Sequence, residues 1–65
     1  MKDNKIYVCE HGNIYEGGHA FYATTNYSQA ILAVDAMRSK TDMHQKGKNY
    51  WSDGFFYIRI LVFND

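Results

Sequence analysis

The segment that most constrains the fold is residues 55–63, FFYIRILVF, an unbroken run of aromatic and branched aliphatic side chains with one charge and no glycine or proline. Such a run suits a pleated, largely buried strand and carries no helical periodicity. A strand of this kind needs hydrogen-bonded neighbours and a cover, and the other residues must supply both. The whole chain has 65 residues, room for one domain spanning 1–65 and close to the size at which a hydrophobic core alone becomes marginal. Cys9 is the only cysteine, so no intrachain disulfide can form, and packing and association remain as supports.

Residues 5–10 (KIYVCE) alternate, with Ile6 and Val8 on one side and Tyr7 and Cys9 on the other, and predict a first strand. Residues 11–18 (HGNIYEGG) hold three glycines and an asparagine, types that tolerate a reversal, so a loop is expected there and HAFYATT becomes the second strand of a hairpin. Thr24, Thr25 and Asn26 offer side-chain oxygens for a helix cap, and Gln29 follows Asn26 at capping-box spacing. Tyr27, Ala30, Ile31, Val34 and Met37 then recur at intervals of three and four, the apolar stripe of a helix, with Arg38 and Lys40 suited to the negative end of its dipole. Residues 41–54 (TDMHQKGKNYWSDG) lack periodicity and read as a loop whose Tyr50 and Trp51 anchor back onto the body.

The expected fold is therefore α+β: a β-β-α-β two-layer domain with a three-stranded antiparallel sheet in the order 2-1-3 and one helix on one face. A right-handed crossover from the second strand through the helix places the last strand beside the first. Ile6 and Val8 with Phe56, Ile58, Ile60 and Val62 are expected to meet the helix. The opposite face should carry Tyr7, Cys9, Phe55, Tyr57, Arg59, Leu61 and Phe63, with Phe21 or Tyr22 according to the register of the second strand. An apolar patch of several hundred Å² of that composition marks an interaction site. Two copies pairing these faces, the 41–54 loop folding across them, or bases stacking on the aromatics would each cover it.

Seven Lys plus Arg balance seven Asp plus Glu, so there is no basic field to attract nucleic acid and no acidic surface imitating it; nucleic acid is not an expected partner. Arg38, Lys40, His44, Lys46 and Lys48 form one locally basic stretch, which reads as a solvated loop completing the helix terminus. A hydrophobic share of 46% with 17% aromatic residues argues for a folded chain over a disordered one. No apolar run reaches the roughly 18 residues of a membrane span. Met1-Lys2-Asp3-Asn4 is not followed by a signal-peptide core. With the lone thiol, these features predict a cytoplasmic protein.

Chemistry is weakly represented. Glu10, His11, Glu16 and His19 cluster around the first loop, but their spacing matches no metal-ligand pattern, so no metal or other cofactor is expected. Cys9 and His11 lack a third group to orient them as a nucleophile and base, and Cys9 reads as a small buried hydrophobe. Gly12, Gly17 and Gly18 do not form a phosphate loop. A chain this short has little to spare for a preorganised pocket, and no enzymatic activity is expected.

The order of segments resembles a domain-of-unknown-function family of small phage and bacterial proteins. The likeness lies in the opening strand IYVCEHG, the Tyr15-Glu16 pair, the stretch FYATTNYSQAILAV and the closing strand FYIRILVF. It implies a phage or mobile-element origin and carries over no catalytic residue. Small stand-alone phage proteins of neutral charge resemble inhibitors of host complexes and defence systems, of the anti-CRISPR kind. The expected function is thus non-enzymatic protein binding to a host protein or complex, through the sheet face or through the hairpin loop at His11, Tyr15 and Glu16. A dimer sequestering a nucleotide or other small ligand at Tyr7, Tyr57 and Arg59, and a structural or assembly subunit, are the alternatives. A homodimer is expected.

Overall fold

The computed structural model describes residues 5–64; Met1-Lys2-Asp3-Asn4, read above for a signal sequence, lie outside the described residues. The elements run β1 (Lys5–Asn13), β2 (Gly17–Thr24), α1 (Tyr27–Arg38), β3 (His44–Gly47), β4 (Tyr50–Ser52) and β5 (Phe56–Asn64). All five strands join one sheet in the order β2-β1-β5-β4-β3, with every neighbouring pair antiparallel. The described helix is not long and apolar enough to cross a membrane.

The three-stranded sheet expected from the sequence is wrong, because residues 41–54 are not a loop. They supply the hairpin β3–β4, which pairs Trp51 with Ile58 on β5 and extends the sheet by two strands. Trp51 is only 4% exposed, and burial of so large a side chain, together with the ladder, draws this polar segment onto the sheet. All four residues of β3 are exposed, so it has no buried face and no hydropathic alternation to read. The Gln45 side chain donates to the carbonyls of Gly47 and Lys48 and pins the turn. The Tyr27 hydroxyl donates to Asn49 Oδ1 at 2.6 Å, tying the hairpin to the start of α1.

The loop expected at 11–18 is also shorter than anticipated. β1 continues to Asn13 and β2 begins at Gly17, leaving Ile14, Tyr15 and Glu16 as the turn. Asn13 Oδ1 accepts from the amides of Tyr15 and Glu16, both at 2.9 Å, which is how an asparagine closes a tight reversal. Gly17 takes φ +78°, a value glycine adopts without cost.

At the start of α1, Asn26 Oδ1 accepts from the amides of Ser28 (2.9 Å) and Gln29 (3.3 Å). The Asn26 amide itself donates to Thr24 Oγ1, where a full capping box would have used Gln29. The helix lays Ala30 and Val34, both fully buried, on β1, β2 and β5. Cys9, Met43, Trp51, Ile58 and Ile60 complete the core, with Tyr7, Phe21, Ile31, Ala33 and Met37 packed around it.

Facing residues of antiparallel neighbours lie on the same side of a sheet. The register Tyr7↔Val62, Cys9↔Ile60, His11↔Ile58 therefore sets the odd positions of β1 on the helix side with the even positions of β5. This reverses the expectation for β1: Ile6 and Val8 are not core residues, and Tyr7 and Cys9 do not belong to the open face. Both sides of residues 5–10 carry apolar side chains, and the expectation chose the more hydropathic Ile6 and Val8 where the register with β5 chooses Tyr7 and Cys9. Cys9 settles beneath the helix because it is small, and its thiol donates to the Ala30 carbonyl at 3.6 Å.

Candidate interaction face

The face opposite α1 is built from the even positions of β1, the odd positions of β5 and alternate residues of β4. Among the described residues no element of the chain crosses it. The register brings Ile6 beside Phe63, Val8 beside Leu61, Glu10 beside Arg59, and Gly12 beside Tyr57, with Tyr50 flanking Arg59 from β4. One end is thus aliphatic and aromatic, with Phe63 54% and Ile6 43% exposed. The other end is aromatic and charged.

At the charged end, Arg59 Nε donates to Glu10 Oε1 at 2.5 Å. The Arg59 guanidinium is pushed further above its already high range, first by that hydrogen bond and against partial desolvation. It lies 5.6 Å from the centre of the Tyr57 ring, within cation–π range. Tyr50 stacks with Tyr57, its centroid 6.1 Å from that of Tyr57 and the planes 25° apart. Gly18 makes this arrangement possible: a methyl there would stand 2.7 Å from the Tyr57 hydroxyl and 2.9 Å from Glu10 Cγ. The glycine read as a turn residue is instead the bare floor on which Tyr57 rests.

Of the residues expected to form the face, Tyr57, Arg59, Leu61 and Phe63 stand on it together. Tyr7 stands on the helix side, edge-on to Tyr27 at 5.2 Å. Phe55 precedes β5 and packs its ring 5.7 Å from Tyr15 and 4.6 Å from Phe56, at the tip of the β1–β2 turn. Tyr22 sits at a bulge: Cys9 faces Tyr22 and Glu10 faces Ala20, which leaves Phe21 as the extra residue of β2. Phe21 and Tyr22 both line a groove against α1, away from the open face. Tyr15, 81% exposed, and Glu16 occupy the turn, while His11 belongs to β1 with its ring 5.4 Å from Phe21.

Ile6, Val8, Glu10 and Tyr50 belong to the face and were not assigned to it from sequence. One signal pointed to them. Arg59 on the last strand calls for a carboxylate neighbour, and Glu10 is the acidic residue within the first strand; pairing the two puts the even positions of that strand on the face of Arg59.

The residues weighed for chemistry are dispersed. Burial pushes the Cys9 thiol up from its ordinary value, which keeps it protonated and poorly nucleophilic. His11 and His19 face each other across β1 and β2, Glu10 points to the opposite side and Glu16 lies in the turn. No trio of His, Cys, Asp and Glu side chains among the described residues is gathered as metal ligands would be. No protein-family model, curated protein or solved structure matches this chain.

Proposed function

We propose that this chain is a non-enzymatic binding protein whose open sheet face docks on another protein. The observation that carries the reading is the juxtaposition of Tyr50, Tyr57 and Arg59 with the exposed apolar pair Ile6 and Phe63 on one uncovered surface. Tyrosine and arginine concentrate binding energy in interfaces, and an apolar neighbourhood excludes water around them. Glu10 holds Arg59 in place before any partner arrives, which lowers the ordering cost of association.

The resemblance to small phage proteins supplies the class of partner: a host protein complex, including defence machinery of the CRISPR type, in the cytoplasm of the bacterial cell. The test is capture of bacterial proteins by the tagged chain beside the double variant Tyr57→Ala/Leu61→Ala. A stoichiometric host protein retained by the wild type and lost by the variant, with the variant's melting transition preserved, is the expected result. Equal capture by both would remove the face from the reading.

The Tyr50–Tyr57 stack with an adjacent guanidinium also supports a second reading, in which the platform holds the ring of a nucleotide. Saturating nucleotide would then raise the melting temperature of the wild type but not of Tyr57→Ala, since a ligand bound only to the native state stabilises it by mass action. No shift across a nucleotide panel would eliminate that alternative.

A further inference from the structure

The two outer strands of the sheet end in opposite ways. β3 has four residues, all exposed, carries Lys46 and is followed by Lys48, which is how natural sheets blunt an edge against unwanted pairing. β2 has eight residues, GGHAFYAT, with no Lys, Arg, Asp or Glu and no proline, and its one irregularity is the bulge at Phe21. Among the described residues, no strand lies beside its outward backbone groups. A long uncharged edge of this kind is a template for another strand.

The helix adds a second surface on the same side. At the edge of the core, α1 turns Ala33, Ala36 and Met37 toward β2, and with Phe21, Tyr22 and, at the far end, Lys40 they line an open, mainly apolar groove of about 350 Å³. Leu32, on the same outer flank as Ala36, is 60% exposed. Small residues on a helix flank permit close approach of another helix.

We propose that two copies of this chain pair antiparallel through β2, about a two-fold axis normal to the sheet, so that five strands from each copy form one continuous sheet. That operation leaves both helices on the same side of the joined sheet, with their Ala33/Ala36 flanks facing each other over the seam. One symmetry operation thus covers the unpaired edge and the apolar groove together, as a self-complementary interface must. β2 holds no Asp, Glu, Lys or Arg, so no carboxylates, ammonium or guanidinium groups of like charge meet at the axis. Two eight-residue strands interrupted by a bulge make about six backbone hydrogen bonds. That number falls within the roughly five to fifteen of a stable interface. The open face carrying Tyr57 and Arg59 stays free in both copies and points the same way in each, so the dimer is independent of the binding role proposed for that face.

The test is solution mass by light scattering or sedimentation for the wild type, Ala20→Lys, Ala36→Glu and Tyr57→Ala/Leu61→Ala. The wild type is expected at twice the single-chain 7.6 kDa. Ala20→Lys, which adds charge at the middle of the edge, and Ala36→Glu, which adds it to the helix flank, should each halve the mass with an unchanged circular dichroism spectrum. The Tyr57→Ala/Leu61→Ala variant should remain a dimer. Single-chain mass for the wild type would overturn the proposal and leave the β2 edge open to an extended segment of a different protein. A dimer that survives both charged variants, or that only the open-face variant dissociates, would overturn it as well. Should a charged variant fail to fold, amide hydrogen exchange of the wild type decides: β2 amides must lose protection on dilution, and concentration-independent exchange there would overturn the inference.

Discussion

The two sides of β1 meet opposite fates, and hydropathy ranks them in the wrong order. On one side Cys9 is fully buried and Tyr7 packs at the margin of the core; on the other, Ile6 is 43% exposed and Glu10 pairs with Arg59. A scale that ranks isoleucine above cysteine and tyrosine would have chosen the opposite arrangement. The covered side is decided by fit: α1 lies against β1 where the small Cys9 faces the Ala30 carbonyl, and bulk comes from Ile58 and Ile60 on the neighbouring strand. Apolarity establishes that a strand is buried somewhere, whereas pairing register and the size of the residue beneath the helix determine which side.

This contrast predicts a graded response to truncation. Ile58→Ala, beneath the helix, should cost about 3–4 kcal/mol in chemical denaturation and leave a domain this small largely unfolded. A cost below about 1 kcal/mol would mean that the helix side is not the core. Gly18→Ala tests the floor of the open side: forcing Tyr57 off its seat should cost about 1–2 kcal/mol. The ring NMR shifts of Tyr57 should change, and unchanged shifts would separate Gly18 from the platform. Leu61→Ala, on the strand of Ile58 but the opposite side, should cost about 1 kcal/mol of stability while weakening partner capture. Equal losses for Leu61→Ala and Ile58→Ala would abolish the distinction between the two sides.

Smaller still is Glu10→Gln. Arg59 is 44% exposed, so loss of the ion pair should lower stability by only about 0.5 kcal/mol, the effect shrinking in salt. A loss of several kcal/mol would show the pair to be buried. The least effect belongs to Asp53, whose Oδ1 accepts from the amides of Phe55 and Phe56 in the turn entering β5. These bonds hold its carboxyl below the ordinary carboxylate range. A carboxylate with a depressed folded-state value stabilises the fold above its unfolded-state value and loses that contribution as pH falls through the folded one. The melting temperature should accordingly fall slightly on acidification through and below that window, and Asp53→Asn should flatten that part of the profile.

The helix was legible because its signals are local: an Asn26 cap and an apolar stripe at intervals of three and four need no knowledge of distant residues. The alternation of β5 was legible because the even positions Ile58 and Ile60 alternate with Tyr57 and Arg59, and the arginine marks the wetter side. β3 and β4 were hidden, since His44, Gln45 and Lys46 have no buried side and the hairpin is held by Trp51 and the edge of β5. The facing of β1 was hidden for a related reason: it depends on pairing with residues about fifty positions away. The same register separates Tyr7 from Tyr57, which strand alternation read without pairing had placed together. Phe21 and Tyr22 escaped a simple alternation rule because a bulge directs two consecutive aromatics to one side.

The pairing of β1 with β5 at the middle of the sheet, Lys5 facing Asn64, has a consequence for how the chain is made. During synthesis β1 is made first of the five described strands, and β5, its inner partner and the central strand of the five, is made last. The hairpin with β2 and the helix can form early, but they stay without a floor until the closing strand arrives. Closing so long a loop makes folding slower than the small size suggests. The same adjacency of residues 5 and 64 makes the molecule a good substrate for circular permutation. A short linker between them, with new ends cut at the exposed Tyr15 turn, would turn the most distant pairing in the sheet into a local hairpin and should accelerate folding without altering the fold.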